Sequence, residues 1–225
     1  MAERSTLSRL AGLAEDQWGL LTRRQAQRAS VSAATFQRLA SQGVLRRVAQ
    51  GVYLLAGAPP PDLVDLRAAW LQLDPETPAW KRSPEQGVAS YRSAAAVYDL
   101  GHLPADRHDF TLPVRRQSRR PDVRLHKKRL GKGDVRSVRG LLVTRPSRIA
   151  ADLLNHLEDP EAVGQVIADA LREGHEVPEA FISSLGESAV RYGFRSGDGA
   201  AVLRWLLDLV GDPEPGRWAR EARAQ

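Results

Sequence analysis

The sequence predicts an α+β protein: an N-terminal winged helix-turn-helix, then a mixed α/β domain with a helical C-terminal part. Three observations carry this. Before residue 57, three short helix-period stretches are followed by two β-prone runs around a glycine. Pro59-Pro60-Pro61 then makes a stiff break, beyond which helices alternate with short β segments. From Pro146 on, the apolar pattern is helical throughout, interrupted by glycines. The expected units are therefore residues 1–57, residues 62–212 and a loose tail over 213–225.

Leu7, Leu10, Ala14 and Trp18 recur at helical spacing, which predicts an amphipathic helix over residues 5–18 that Gly19 ends. Thr22-x-x-Gln25 has the form of a capping box, and Leu21 can staple onto Ala26, so a short second helix runs to near Ala29. Ser32 opens a third helix: its hydroxyl can accept from the free amides of the first turn, and Val31 stands at staple spacing from Phe36. Phe36, Leu39 and Ala40 form its buried face, and Gly43 supplies the left-handed stop.

The opposite face of that helix carries Ala34, Thr35, Gln37, Arg38, Ser41 and Gln42, small or hydrogen-bonding residues of a kind that enters a major groove. Arg38 matches a guanine edge and Gln37 an adenine edge, while Ala34 or Thr35 suits a thymine methyl. Ser32 and Thr35 would hold phosphate or cap the helix, and Gln37, Arg38 and Ser41 would read bases. The runs Leu45-Arg46-Arg47-Val48 and Val52-Tyr53-Leu54-Leu55, joined through Ala49-Gln50-Gly51, form a hairpin signal. Arg46, Arg47 and Gln50 would meet backbone phosphate at this wing. Small helical domains with a hairpin also serve as protein-docking modules. The polar helix face and the arginine pair favour DNA.

The run "LLTRRQAQRASVSAATFQRLASQGVLRRVAQGVYLLAG" resembles the N-terminal domain of the AbiEi family of bacterial antitoxins. It has the same threonine-started helix, serine-capped helix, glycine and "L-x-R-V-x-x-G-V-Y" ending, over about forty residues without a gap. The resemblance implies a transcriptional autoregulator that binds double-stranded DNA at its own promoter and is paired with a nucleotidyltransferase toxin. Inverted repeats in that promoter would imply two copies of the protein on the operator.

In the second region, residues 62–73 read as a helix with Leu63, Leu66, Ala69, Trp70 and Leu73 on one side. "ASYRSAAAVYDLG" reads as another, capped by Ser90 and stopped by Gly101. "HDFTLP", "DVRLHKK" and "GLLVTRP" read as strands, and Pro146 suits the first turn of a helix with Ile149, Ala150, Leu153 and Leu154 inward. These stretches extend the resemblance to about residue 155. Further helices follow in "EDPEAVGQVIADALREG", "PEAFISSLGESAVRYG" and "GDGAAVLRWLLDLVG", the last with an apolar stripe of Trp205, Leu206 and Leu209.

Charge divides unevenly: +5 over residues 1–57, −3 over 58–106, +11 over 107–148 and −7 over 149–225, which sum to the net +6. The two basic segments point to polyanions. A candidate second basic surface comprises Arg115, Arg116, Arg119 and Arg120, with Arg124, Lys127, Lys128 and Arg129 close behind. Extra DNA contact, docking of an acidic toxin surface and a plain solvated loop remain open for it.

Cysteine is absent, which removes disulfides and thiolate metal sites and suits a reducing cytoplasm. No signal peptide or membrane span is legible. No cofactor, metal site or catalytic residue is expected, and the chain reads as a non-enzyme. Relatives of the second region precede a small nuclease domain in other proteins, but none of the four lysines here follows an acid at the x-lysine spacing that such nucleases use. His102, His108, His126, His156 and His175 are scattered in sequence; His102 and His108 with Asp106 and Asp109 come nearest to a cluster. No effector pocket is legible. A stand-alone winged-helix transcription factor without a toxin and a degenerate nuclease-like protein are the alternatives.

Overall fold

A computed structural model describes residues 2–104 and 106–212, with side chains from residue 6 on. The expected tail, 213–225, lies outside the described residues. The first helix, α1, spans Ala2–Glu15 and ends earlier than helical spacing predicts. Trp18 and Gly19 both take left-handed backbone, at φ 58° and 76°, and turn the chain into a strand the sequence reading missed, β1 over Leu20–Thr22. The short helix α2, Arg23–Arg28, opens with the Thr22/Gln25 capping box, closed in both directions. Helix α3, Ala33–Ser41, starts at Ser32, and Gly43 follows it at φ 76°. Strands β2, Leu45–Ala49, and β3, Val52–Leu55, complete a three-stranded antiparallel sheet in the order β1-β3-β2. Three helices and this sheet make the winged helix.

Helix α4 spans Val64–Leu73, starting two residues later than expected because Leu63 sits in left-handed backbone. The second sheet has five strands in the order β6-β5-β4-β8-β7. These are β4, Val88–Ala89; β5, His108–Leu112; β6, Val123–Lys127; β7, Val135–Val138; and β8, Leu141–Thr144. β5 pairs in parallel with β6 and β4 in parallel with β8; the other two pairings are antiparallel. Helix α5, Tyr91–Tyr98, follows Ser90, whose side chain does not cap it. The Ser90 hydroxyl instead accepts from Thr111 Oγ1 at 2.9 Å. Helix α6, Pro146–Asn155, has its proline in the first turn as expected.

Helices α7, Pro160–Arg172, α8, Pro178–Leu185, and α9, Gly199–Leu209, pack at the C-terminal end. α7 and α9 touch at Gly164, where a β-carbon would stand 2.4 Å from the Leu206 carbonyl oxygen. Of the stripe read on the last helix, Leu206 is buried, Trp205 lies against Tyr192 and Phe194, and Leu209 is exposed.

The first sheet is covered on both faces. Cross-strand partners share a face. Leu21, Leu45, Tyr53 and Leu55 pack with α1–α3, whereas Leu20, Val52 and Leu54 join the large core built around α4 and the second sheet. Two polar assemblies tie the halves further. Gln17 and Gln25 are buried and bond each other reciprocally at 2.9 and 3.0 Å; Gln17 also accepts from Ala79 N, and Gln25 donates to the Thr77 carbonyl. Arg67 lies 4.3 Å over Trp18, Trp18 meets Trp70 edge-on at 6.1 Å, and Arg82 lies 4.2 Å over Trp70. Such stacks favour cation over ring face in a dry setting.

Candidate nucleic-acid interface

The candidate reading face is the outer side of α3. Phe36 and Leu39 are buried, and Phe36 meets Tyr53 edge-on at 4.9 Å, so one side of the helix is clamped to the sheet. Ala34, Gln37, Arg38, Ser41 and Gln42 are exposed on the other side, and Thr35 is half-buried. Ser32 Oγ accepts from Thr35 N at 3.1 Å and donates to Thr35 Oγ1 at 3.0 Å. Both hydroxyls therefore serve the helix start first, and the spare donor is that of Thr35. Ser41 Oγ donates to the Arg38 carbonyl at 2.8 Å, which leaves it acceptor capacity only. Arg38 Nη1 lies 3.4 Å from Gln42 Oε1, a long bond that holds the guanidinium along the helix surface.

The hairpin separates the two arginines expected to act together. Arg47 pairs with Tyr53 and so shares the face that carries α3. Arg46 pairs with Leu54 and stands on the opposite face, toward the second half of the molecule. Both are exposed. The register shifts between Arg47 and Ala49, a bulge that increases local twist. The turn is short and held: Gly51 supplies φ 74°, Arg23 N donates to the Gly51 carbonyl at 2.9 Å, and Gln72 Nε2 from α4 donates to the Gln50 carbonyl at 2.8 Å.

The second basic run folds into two separate groups. Arg120 donates to Gln72 Oε1 at 2.6 Å and pairs with Asp122, while Arg116 donates to the Leu73 carbonyl at 3.0 Å. Both reach the end of α4 and so the hairpin turn. A groove of about 630 Å³ results, lined by Arg23, Arg24, Gln27, Gln50, Gln72 and Arg120. Arg115 and Arg119 are exposed on the same loop. Lys128, by contrast, lies 3.3 Å from Asp152, Arg129 lines a different groove with Thr111 and Pro113, and Lys127 is exposed at the end of β6. Arg23 and Arg24 were missed from sequence. Their signal was local: two arginines directly after a capping threonine stand in the exposed first turn of a helix.

Among the described residues, no group of three or more His, Asp or Glu side chains is placed to hold a metal ion, and no helix is long and apolar enough to cross a membrane.

Residues 8–56 match the family model described as "Transcriptional regulator, AbiEi antitoxin", so the resemblance read from the N-terminal motifs is borne out over that stretch. The crystal structure of the RV2827C protein from Mycobacterium tuberculosis superposes with a TM-score of 0.52 at 17% identity, covering 96% of this chain and 80% of that one. At that identity the likeness concerns the fold, which extends through both halves. No curated protein compared with the chain matches it.

Proposed function

We propose that the protein is a cytoplasmic DNA-binding antitoxin that represses its own toxin–antitoxin operon and antagonises a nucleotidyltransferase toxin. It acts by binding and not by catalysis. The observation that carries the reading is the solvent-exposed polar face of α3 set beside a basic hairpin, inside the stretch that matches an antitoxin regulator family. Residues 1–57 read the operator, and residues 62–212 form the antitoxin part.

Gln37 and Arg38 contact base edges in the major groove, with Ala34 and Thr35 against thymine methyls and Ser41 accepting from a base amino group. Arg47 and Gln50 hold the backbone at the hairpin, and Arg46, on the other face, holds it less closely. Arg23, Arg24 and Arg120 extend the positive surface along the groove at the turn. Arg115, Arg116 and Arg119 continue it, whereas Lys127, Lys128 and Arg129 belong to another side of the molecule. Contacts to phosphate set affinity and its salt dependence, and contacts to bases set sequence choice.

The test is fluorescence anisotropy with a duplex from upstream of the gene and a scrambled duplex, across a salt series. Tighter binding to the upstream duplex, with the preference erased in Arg38→Ala at a cost of about 1–3 kcal/mol, is the expected result. Equal binding to both duplexes would remove the reading of a specific repressor. Co-purification with the product of an adjacent nucleotidyltransferase gene tests the toxin partner.

A further inference from the structure

Two histidines that are distant in sequence meet in a cleft that the DNA reading does not use. Asp109 on β5 and His126 on the edge strand β6 point to one side of the second sheet, since their registers place Asp109 beside Arg124 and Thr111 beside His126. The Asp109 carboxylate and His126 Nε2 are 2.7 Å apart, each side chain only 10% exposed. Tyr91, the first residue of α5, stacks on the His126 ring at 3.9 Å. It does so from left-handed backbone, φ 51°, a conformation that costs a tyrosine energy and is common at ligand sites. His156, at the end of α6, meets both rings edge-on at 5.1 and 5.3 Å. Together they wall a cleft of about 240 Å³.

The groups around this cleft divide into those already paired and those left over. Glu158 is held by a two-pronged bond from Arg92, at 2.7 and 2.9 Å. Asp109 is committed to His126, and Asp152 beneath is committed to Arg148 and Lys128. The remaining polar groups of the wall are mostly donors: the Tyr91 hydroxyl, the His156 ring and the guanidinium groups of Arg107 and Arg124, none with a side-chain hydrogen bond or ion pair among the described residues. Burial pushes the Tyr91 phenol up to about 12, so its proton stays in place. Burial, with Arg124 and His126 nearby, holds His156 below the usual imidazole range, so it is neutral near pH 7 and offers one N–H. Asp106 at the rim is exposed and lies next to Arg107 in the chain. Leu157 stands 74% exposed at the mouth, an apolar surface beside the donors.

We propose that this cleft binds a phosphate group, as a phosphomonoester or as the free ion, its oxygens taking the Tyr91 hydroxyl, the His156 N–H and the guanidinium groups of Arg107 and Arg124. Planar guanidinium groups suit such two-point recognition. The ester group would leave the cleft past Leu157. The source is a nucleotide or the free phosphate ion, and the chemistry that recognises both is the same.

Calorimetric titration of the full chain tests this with three probes: inorganic phosphate, adenosine 5′-monophosphate and adenosine. Phosphate and the nucleotide should bind with one-to-one stoichiometry, and adenosine should not. Tighter binding of the nucleotide would identify an ester ligand; equal affinities would identify the phosphate ion. Tyr91→Phe, which removes only the hydroxyl, should weaken binding at least fivefold. The Arg107→Gln/Arg124→Gln pair, both at exposed sites, should abolish it at an unchanged thermal midpoint. Arg115→Gln/Arg119→Gln, on the hairpin side, should leave it intact. Loss of binding in that last variant to the same degree would reveal a diffuse basic surface and overturn the site, as would absence of phosphate and nucleotide binding in the parent chain. Neither result bears on operator binding, which the anisotropy measurement reads separately.

Discussion

Arg46 and Arg47 are neighbours in sequence and stand on opposite sides of a sheet, so one-residue alternation assigns them different work. If the face that carries α3 lies on DNA, Arg47→Ala should lower the slope of log K against log salt by about 0.9, the loss of one phosphate contact, and Arg46→Ala should lower it less. Equal slopes for the two would contradict this orientation. Thr22 and Gln25 show what a sequence discloses at this scale. Their capping box was legible because both partners lie within four residues. Gln17 was silent, because its partner Gln25 lies eight residues on, past a turn and a strand, and Ala79 comes from the second half of the chain. Gln25→Ala leaves Gln17 and the Thr77 carbonyl short of partners in a dry place and should cost about 2 kcal/mol in denaturant unfolding. Glu176 offers a pH readout. Its side chain is wholly buried; burial alone would raise its pKa, but bonds from Arg145 and Ser147 outweigh this and hold the carboxyl below the usual carboxylate range. The folded pKa lies below the unfolded one, so the stabilisation is present at neutral pH and is lost as pH falls through the folded value. Glu176→Gln should cost about 3 kcal/mol at pH 7 and flatten the acid limb of a stability–pH curve.

At the level of elements, long helices were legible and short strands were not. Helices α6 and α7 carry apolar residues at helical period over about three turns, and the inward face of α6 is the one expected. β1 has three residues and β4 two, too few for alternation to register, and each exists only because a neighbouring strand supplies its hydrogen bonds. The turn histidine and tyrosine positions of the cleft were unreadable for a related reason: β6, α5 and α6 come together only through the parallel β5–β6 crossover and the packing of α5 on α6. Tight helix contact gives a sharper forecast. A methyl at Gly164 has no room beside the Leu206 carbonyl, so Gly164→Ala should destabilise by about 1–3 kcal/mol and lower Tm, with α7 and α9 forced apart. An unchanged Tm would mean the two helices separate freely.

For the molecule as a whole, the proline break after residue 58 is a boundary in the chain, but the apolar core runs across it. Leu20, Val52 and Leu54 are buried only because the second half covers them. A fragment of residues 1–57 would expose that apolar face, and it should fail to give a dispersed, monomeric spectrum where the full chain does; a well-folded monomeric fragment would refute this. The pattern of the sequence announced two units and could not announce the shared face, because strands with both sides covered lose the polar alternation that marks an exposed one. The pinned hairpin turn carries this coupling to the proposed operator. With Gln72 holding Gln50 and Arg23 holding Gly51, the wing turn is tied at two carbonyls, which resists its following a groove that widens or narrows. The duplex must then do the yielding, and pyrimidine–purine steps that kink readily should be favoured even where no side chain reaches a base.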